Sequence, residues 1–135
     1  RFGTDAYNQL GSALSGVGDV NGDGFDDVAI GAKHASIPDR ESAGIVCVIF
    51  GSAKIYASDV DLRNFAASLF GFAIYGSSPL VNLHLVAPAG DINGDGVDDL
   101  LVGDRSAVHI VHGQIALRTT NVDTLTDNVV TFDYP

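Results

Sequence analysis

The chain has 135 residues, 46% of them hydrophobic and 18% charged, with a formal net charge of −10. That length suits one domain or a piece of one, and that balance can fill a core, which excludes a disordered chain. The acidic surplus excludes a basic nucleic-acid face or docking on anionic lipid, and no run approaches the ~20 apolar residues of a membrane span, so no membrane insertion is expected.

The first apolar segment, LGSALSGV at 10–17, runs into an acidic stretch, GDVNGDGFDD at 18–27. Apolar segments follow at 27–32 (DVAIGA), 46–51 (VCVIFG) and 70–76 (FGFAIYG). The order then repeats: NLHLVAPA at 82–89, GDINGDGVDD at 90–99, DLLVGD at 99–104, VHIVHG at 108–113 and NVVTFDY at 128–134. Runs of this length, rich in Val and Ile and bounded by Gly, Asn or Asp, predict strands. Each unit therefore reads as four strands, A to D, with the acidic loop joining A to B. The boundaries are 1–76, with its loop at 19–27, and 77–135, with its loop at 91–99. The B–C connection is long in the first unit (33–43) and short in the second (104–107). Apolar spacing at 62, 65, 66 and 69 predicts a short helix or turn over 59–70.

The B and C strands are apolar at nearly every position, so both faces of each sheet must be covered. Two four-stranded antiparallel sheets stacked face to face are two blades of a β-propeller, an all-β fold that closes with typically 4–8 blades. Two blades alone would leave large apolar faces open. The partners expected are the remaining blades, in the same longer chain or in other copies. The opening at Arg1, without Met, reads as a cut or processed start.

The loop pattern is Asp-x-Asn-x-Asp-Gly-x-x-Asp, written twice, 72 residues apart. Hard cations take oxygen ligands, and a glycine at the sixth position permits the bend that offers the seventh residue's carbonyl. The first site is assigned to Asp19, Asn21, Asp23 and Asp27 with the carbonyl of Phe25, and the second to Asp91, Asn93, Asp95 and Asp99 with the carbonyl of Val97. Asp26 and Asp98 are expected to point outward. Two carboxylates ~5 Å apart repel by about 3 kcal/mol at an effective dielectric of 20, so the loops call for a counter-ion. A flexible all-oxygen cage suits Ca2+ over magnesium, and the absence of His and Cys from the loops argues against zinc. An EF-hand is excluded, since its twelfth loop position wants Glu and finds Ile30 and Val102.

The stretches GDVNGDGFDDVAIGA, GDINGDGVDDLLVG and VCVIFG resemble the FG-GAP repeats of integrin α-type β-propellers and their bacterial relatives. The resemblance implies a seven-bladed propeller with calcium held at its bottom and ligands on its opposite, top face. The Pro of the family's GAP is replaced by Lys33 and Arg105, its early FG reads LG at Leu10–Gly11, and Leu83 stands where the second unit would repeat Gly11.

The resulting expectation is a calcium-binding, non-catalytic scaffold for adhesion or ligand binding, extracellular or on a cell surface, with a protein or glycan as ligand. The top-loop candidates are Lys33, His34, Asp39, Arg40 and Glu41. The alternative is an architectural part of a larger enzyme or multi-subunit complex. No nucleophile elbow or Cys/His pair is visible to support catalysis within the chain. His109 and His112, three apart on a strand, face opposite sides and cannot share a metal. Cys47, in an apolar run, reads as a buried structural thiol.

Overall fold

The computed structural model describes residues 9–53 and 71–113, together with the backbone at 120–121 and 129–133. Its strands in chain order are β1 (Leu10–Gly18), β2 (Asp27–Ala32), β3 (Ile45–Ile49), β4 (Gly71–Tyr75), β5 (Leu85–Gly90), β6 (Asp99–Gly103), β7 (Ala107–Val111), β8 (Thr120–Asn121) and β9 (Val129–Asp133). The predicted helix over 59–70 lies outside the described residues.

Both sheets form, and every described element is a strand, so the all-β expectation holds. Strands β1 to β4 pair antiparallel in sequence order, and β5, β6, β7 and β9 do the same in a second sheet. One feature departs from the expected pair of four-stranded antiparallel sheets. The two-residue β8 joins the first sheet as a fifth strand, parallel to β4, with Ile74 opposite Thr120 and Tyr75 opposite Asn121. The connection between β7 and β9 thus reaches back to the neighbouring sheet and ties the two units together. Pro88 is tolerated within β5 because that strand is an edge, paired only with β6.

The sheets share one core. Val17, Val20, Ala29, Val46, Val48, Phe72 and Ile74 of the first unit pack against Leu83, Leu100, Val102 and Val111 of the second. Alternation along β3 places Ile45 and Cys47 on the opposite face, where they pack with Ala32, Ala35 and Ala73. Strand β3 is therefore buried on both faces, as its continuous apolar sequence requires. Burial pushes the Cys47 thiol up to about 12, so it stays protonated and serves as packing.

The long β2–β3 connection is braced, not loose. Arg40 Nη1 donates to the Gly76 carbonyl at 2.8 Å, and Leu80 and Leu83 N–H donate to the Glu41 and Ala43 carbonyls at 2.8 Å each. Asn82, buried and in the left-handed region at φ 55°, donates its amide to the Ser42 carbonyl at 2.9 Å and the Lys33 carbonyl at 3.2 Å. This one side chain fastens the connection of the first unit to the linker that begins the second.

Candidate functional site: the paired acidic loops

Each acidic loop closes a β-hairpin, β1 to β2 and β5 to β6. In the first, Asp19 accepts three main-chain N–H bonds: from Gly22 at 2.8 Å and Asp23 at 3.1 Å on Oδ1, and from Gly24 at 2.8 Å on Oδ2. Asp91 repeats this with Gly94 at 2.8 Å, Asp95 at 3.1 Å and Gly96 at 2.8 Å. Asn21 and Asn93 each accept their second neighbour's N–H at 3.4 Å, and Asp23 and Asp95 accept those of Phe25 and Val97 at 3.0 Å. The sharp bend comes from Gly24 and Gly96, at φ 89° and 88°, a region that favours glycine.

The ninth loop residue anchors the curl from below. Asp27 is buried and accepts the Val20 N–H at 2.9 Å and the Gly51 N–H at 2.8 Å. Asp99, also buried, accepts the Ile92 and Gly113 N–H groups, each at 2.9 Å. Each carboxylate thus joins its own loop to the end of the third strand of its sheet. His112 Nδ1 stands 3.3 Å from Asp99 Oδ1 without closing a hydrogen bond.

Electrostatics distinguish the loop positions. Burial raises the Asp27 carboxyl against the lowering effect of the Gly51 and Val20 N–H groups, and the nearby Asp23 and Asp19 charges raise it further. The Gly96 N–H, followed by those of Asp95 and Gly94, holds the exposed Asp91 carboxyl below the usual carboxylate range.

Among the described residues no group of three or more His, Cys, Asp or Glu side chains is gathered around a metal position. The donor chemistry nonetheless fits a hard cation. Both loops offer carboxylate and amide oxygens, and Asp27 carries a charge disfavoured by its surroundings and by its acidic neighbours. The residues that would hold such an ion are Asp19, Asn21, Asp23, Phe25 and Asp27, and their counterparts Asp91, Asn93, Asp95, Val97 and Asp99. A bound Ca2+ would supply positive charge to neutralise the loop.

Asp98 does not point outward. Its Oδ2 accepts the Asp19 N–H at 2.9 Å, and its own N–H donates to the Asp19 carbonyl at 3.0 Å. The approach is so close that a Cβ on Gly18, at φ 74°, would fall 2.2 Å from Asp98 Oδ2. The doubled acid at loop positions eight and nine is the one sequence sign of this contact. Asp26, the counterpart, is exposed.

The top-loop candidates lie at the other end of β2, remote from the acidic hairpins along the strand. Asp39 and Glu41 are exposed, while Lys33, His34 and Arg40 are half-buried in the braced connection. His34 Nδ1 lies 3.3 Å from the Asn82 amide. His109, buried, meets Asp104 at 3.0 Å.

Residues 10–49 match the FG-GAP repeat family. The chain belongs to the FG-GAP repeat family. Curated relatives agree. The chain is 33% identical over 110 residues to integrin alpha pat-2 of Caenorhabditis briggsae, covering 75% of this chain and 8% of that protein. It is 30% identical over 126 residues to integrin alpha-E of Mus musculus, covering 91% of this chain and 10% of the relative. A third relative, the phosphatidylinositol-glycan-specific phospholipase D of Bos taurus, is 34% identical over 101 residues, or 74% of this chain and 11% of that protein. The FG-GAP chain therefore spans about a tenth of the length of these relatives. The matched segment runs from β1 to the end of β3, so it contains the first acidic loop and the braced connection.

Proposed function

We propose that this FG-GAP chain is a calcium-binding segment of a β-propeller, extracellular or at a cell surface, that serves as a non-catalytic scaffold for adhesion or ligand binding. The observation that carries the reading is the repetition of one loop. Two nine-residue stretches 72 residues apart share the same main-chain hydrogen bonds to their first, third, fifth and ninth residues. Kinship with integrin α chains supports the adhesion setting.

The ion's role in this reading is structural. With an affinity in the weak extracellular range, ~10⁻⁴ M, millimolar calcium contributes on the order of 1.5 kcal/mol per site. The units divide at residues 76 and 77, and the outer face of each sheet meets further blades. The surface assigned to a protein or glycan ligand is the connection 33–43, with Lys33, His34, Asp39, Arg40 and Glu41 as its polar groups; Asp39 and Glu41 reach solvent, and Arg40 ties the connection to the Gly76 carbonyl.

Thermal melts in millimolar calcium and in excess chelator test the reading. A higher melting temperature in calcium, lost in a variant carrying both Asp19→Ala and Asp91→Ala, is the expected result. Identical melts of the wild-type chain would overturn it.

A further inference from the structure

We propose that Asp98 is a positioning residue that couples the two acidic loops, so that calcium held by either loop raises the affinity of the other. The coupling rests on the calcium reading of both loops given above.

The connection runs through two peptide units. The Asp98 N–H and the Val97 carbonyl are opposite ends of one planar trans peptide, so fixing one end aims the other. The N–H donates to the Asp19 carbonyl at 3.0 Å. A residue of the first loop therefore sets the direction of the carbonyl assigned as a ligand in the second. The Asp19 carbonyl in turn shares its peptide unit with the Val20 N–H, which donates to Asp27 Oδ2 at 2.9 Å. The seventh position of the second loop is thus joined to the ninth position of the first by consecutive hydrogen bonds. Bonds arranged in such a chain polarise and strengthen one another.

The Asp98 side chain locks this path. Its Oδ2 accepts the Asp19 N–H at 2.9 Å, so Asp98 grips Asp19 by both main-chain polar groups. Asp19 is also the hub of its own loop, since its carboxylate accepts the N–H groups of Gly22, Asp23 and Gly24. Asp98 stands directly before Asp99, the buried ninth residue of the second loop. The junction has little slack. A Cβ on Gly113 would fall 2.1 Å from the Asp98 carbonyl oxygen, and 2.8 Å from both the Val20 carbonyl oxygen and Val97 Cγ1. The Gly113 N–H is bound to Asp99 Oδ1 at 2.9 Å. Residues of both loops therefore meet at one tightly packed point, and setting the geometry of one loop sets that of the other. Repulsion between two ions opposes the coupling, but water and salt screen it at loops as exposed as these.

Calorimetric titration of the chelator-stripped chain with calcium tests the proposal. Asp91→Ala reports the first loop alone, and Asp19→Ala the second. The product of the two wild-type association constants is expected to exceed the product of the two single-loop constants by about tenfold. The same comparison made with Asp98→Ala added to each chain is expected to fall to about one. Asp98→Asn keeps an acceptor for the Asp19 N–H and is expected to retain the wild-type ratio, a rescue that charge alone would not give. Two ions bound with a wild-type ratio of about one or below overturn the coupling and leave the calcium reading standing. A ratio that survives in Asp98→Ala, or is lost equally in Asp98→Asn, overturns the role given to Asp98. Should Asp98→Ala lose its β-sheet dichroism, the wild-type and Asp98→Asn ratios still decide. A folded wild-type chain that takes up no calcium overturns the calcium reading itself.

Discussion

Asp19 and Asp98, 79 residues apart, exchange two hydrogen bonds: the Asp19 N–H to the Asp98 carboxylate at 2.9 Å, and the Asp98 N–H to the Asp19 carbonyl at 3.0 Å. The first residue of one acidic loop is thereby held by the eighth residue of the other. Removal of the carboxylate in Asp98→Ala leaves a half-buried N–H without its acceptor. A hydrogen bond to a charged group contributes about 1.5–3 kcal/mol, and a loss of that size in urea unfolding is the expected outcome. Asp26→Ala is the control, since Asp26 is exposed, and should change stability by less than about 0.5 kcal/mol.

Asp27 is the more demanding position. Both its oxygens are engaged by backbone donors, Val20 and Gly51, in a buried setting. Asp27→Asn keeps one good acceptor and turns an amide N–H toward a backbone donor. It should destabilise by about 1–3 kcal/mol in chelator, the cost of a buried group left unsatisfied. Denaturant titration in chelator checks this without interference from an ion.

The acidic loops were legible in the residues because ligand-type side chains, glycines and flanking strands recur together. The strands were legible too, though with shifted ends: 82–89 was expected where Leu85–Gly90 forms. The direction of Asp98 was not legible. Its contact lies on another sheet, and no local pattern reports which sheet will stand beside a loop. Strand β8 escaped for a related reason. Thr120–Asn121 is a two-residue pairing along the edge of a sheet built from distant sequence, with no apolar alternation of its own. The connection at 33–43 was recognised as long and polar, but its bracing by Asn82 depends on a side chain 40 residues beyond Ser42.

Asp104 supplies a pH signature remote from the loops. Burial alone would raise its carboxyl, but hydrogen bonds from His109, from the Ser106 and Ala107 N–H groups and from the Ser106 hydroxyl outweigh burial and leave it lowered. A carboxyl lowered on folding stabilises the chain fully above its unfolded value, near ~3.9, and that contribution is lost as pH falls through the lower folded value. The stability difference between wild type and Asp104→Asn should therefore be largest above about pH 5 and shrink toward about pH 2. Melting temperatures of the two chains across that range check the sign.

Phe72 measures the shared core. It is fully buried, packs in the seam between the sheets, and its ring lies 5.8 Å from that of Phe50, centroid to centroid. Phe72→Ala removes contacts within the first sheet and across to the second, and should cost about 3–5 kcal/mol. Urea unfolding followed by dichroism checks this; a loss below about 1 kcal/mol would mean that the two sheets do not share this core.

The most direct measurement is calorimetric titration of the chelator-stripped chain with calcium. Two ions per chain are expected, falling to one in Asp19→Ala and to none when Asp91→Ala is added. A wild-type chain with intact β-sheet dichroism that takes up no calcium at millimolar concentration would contradict the account.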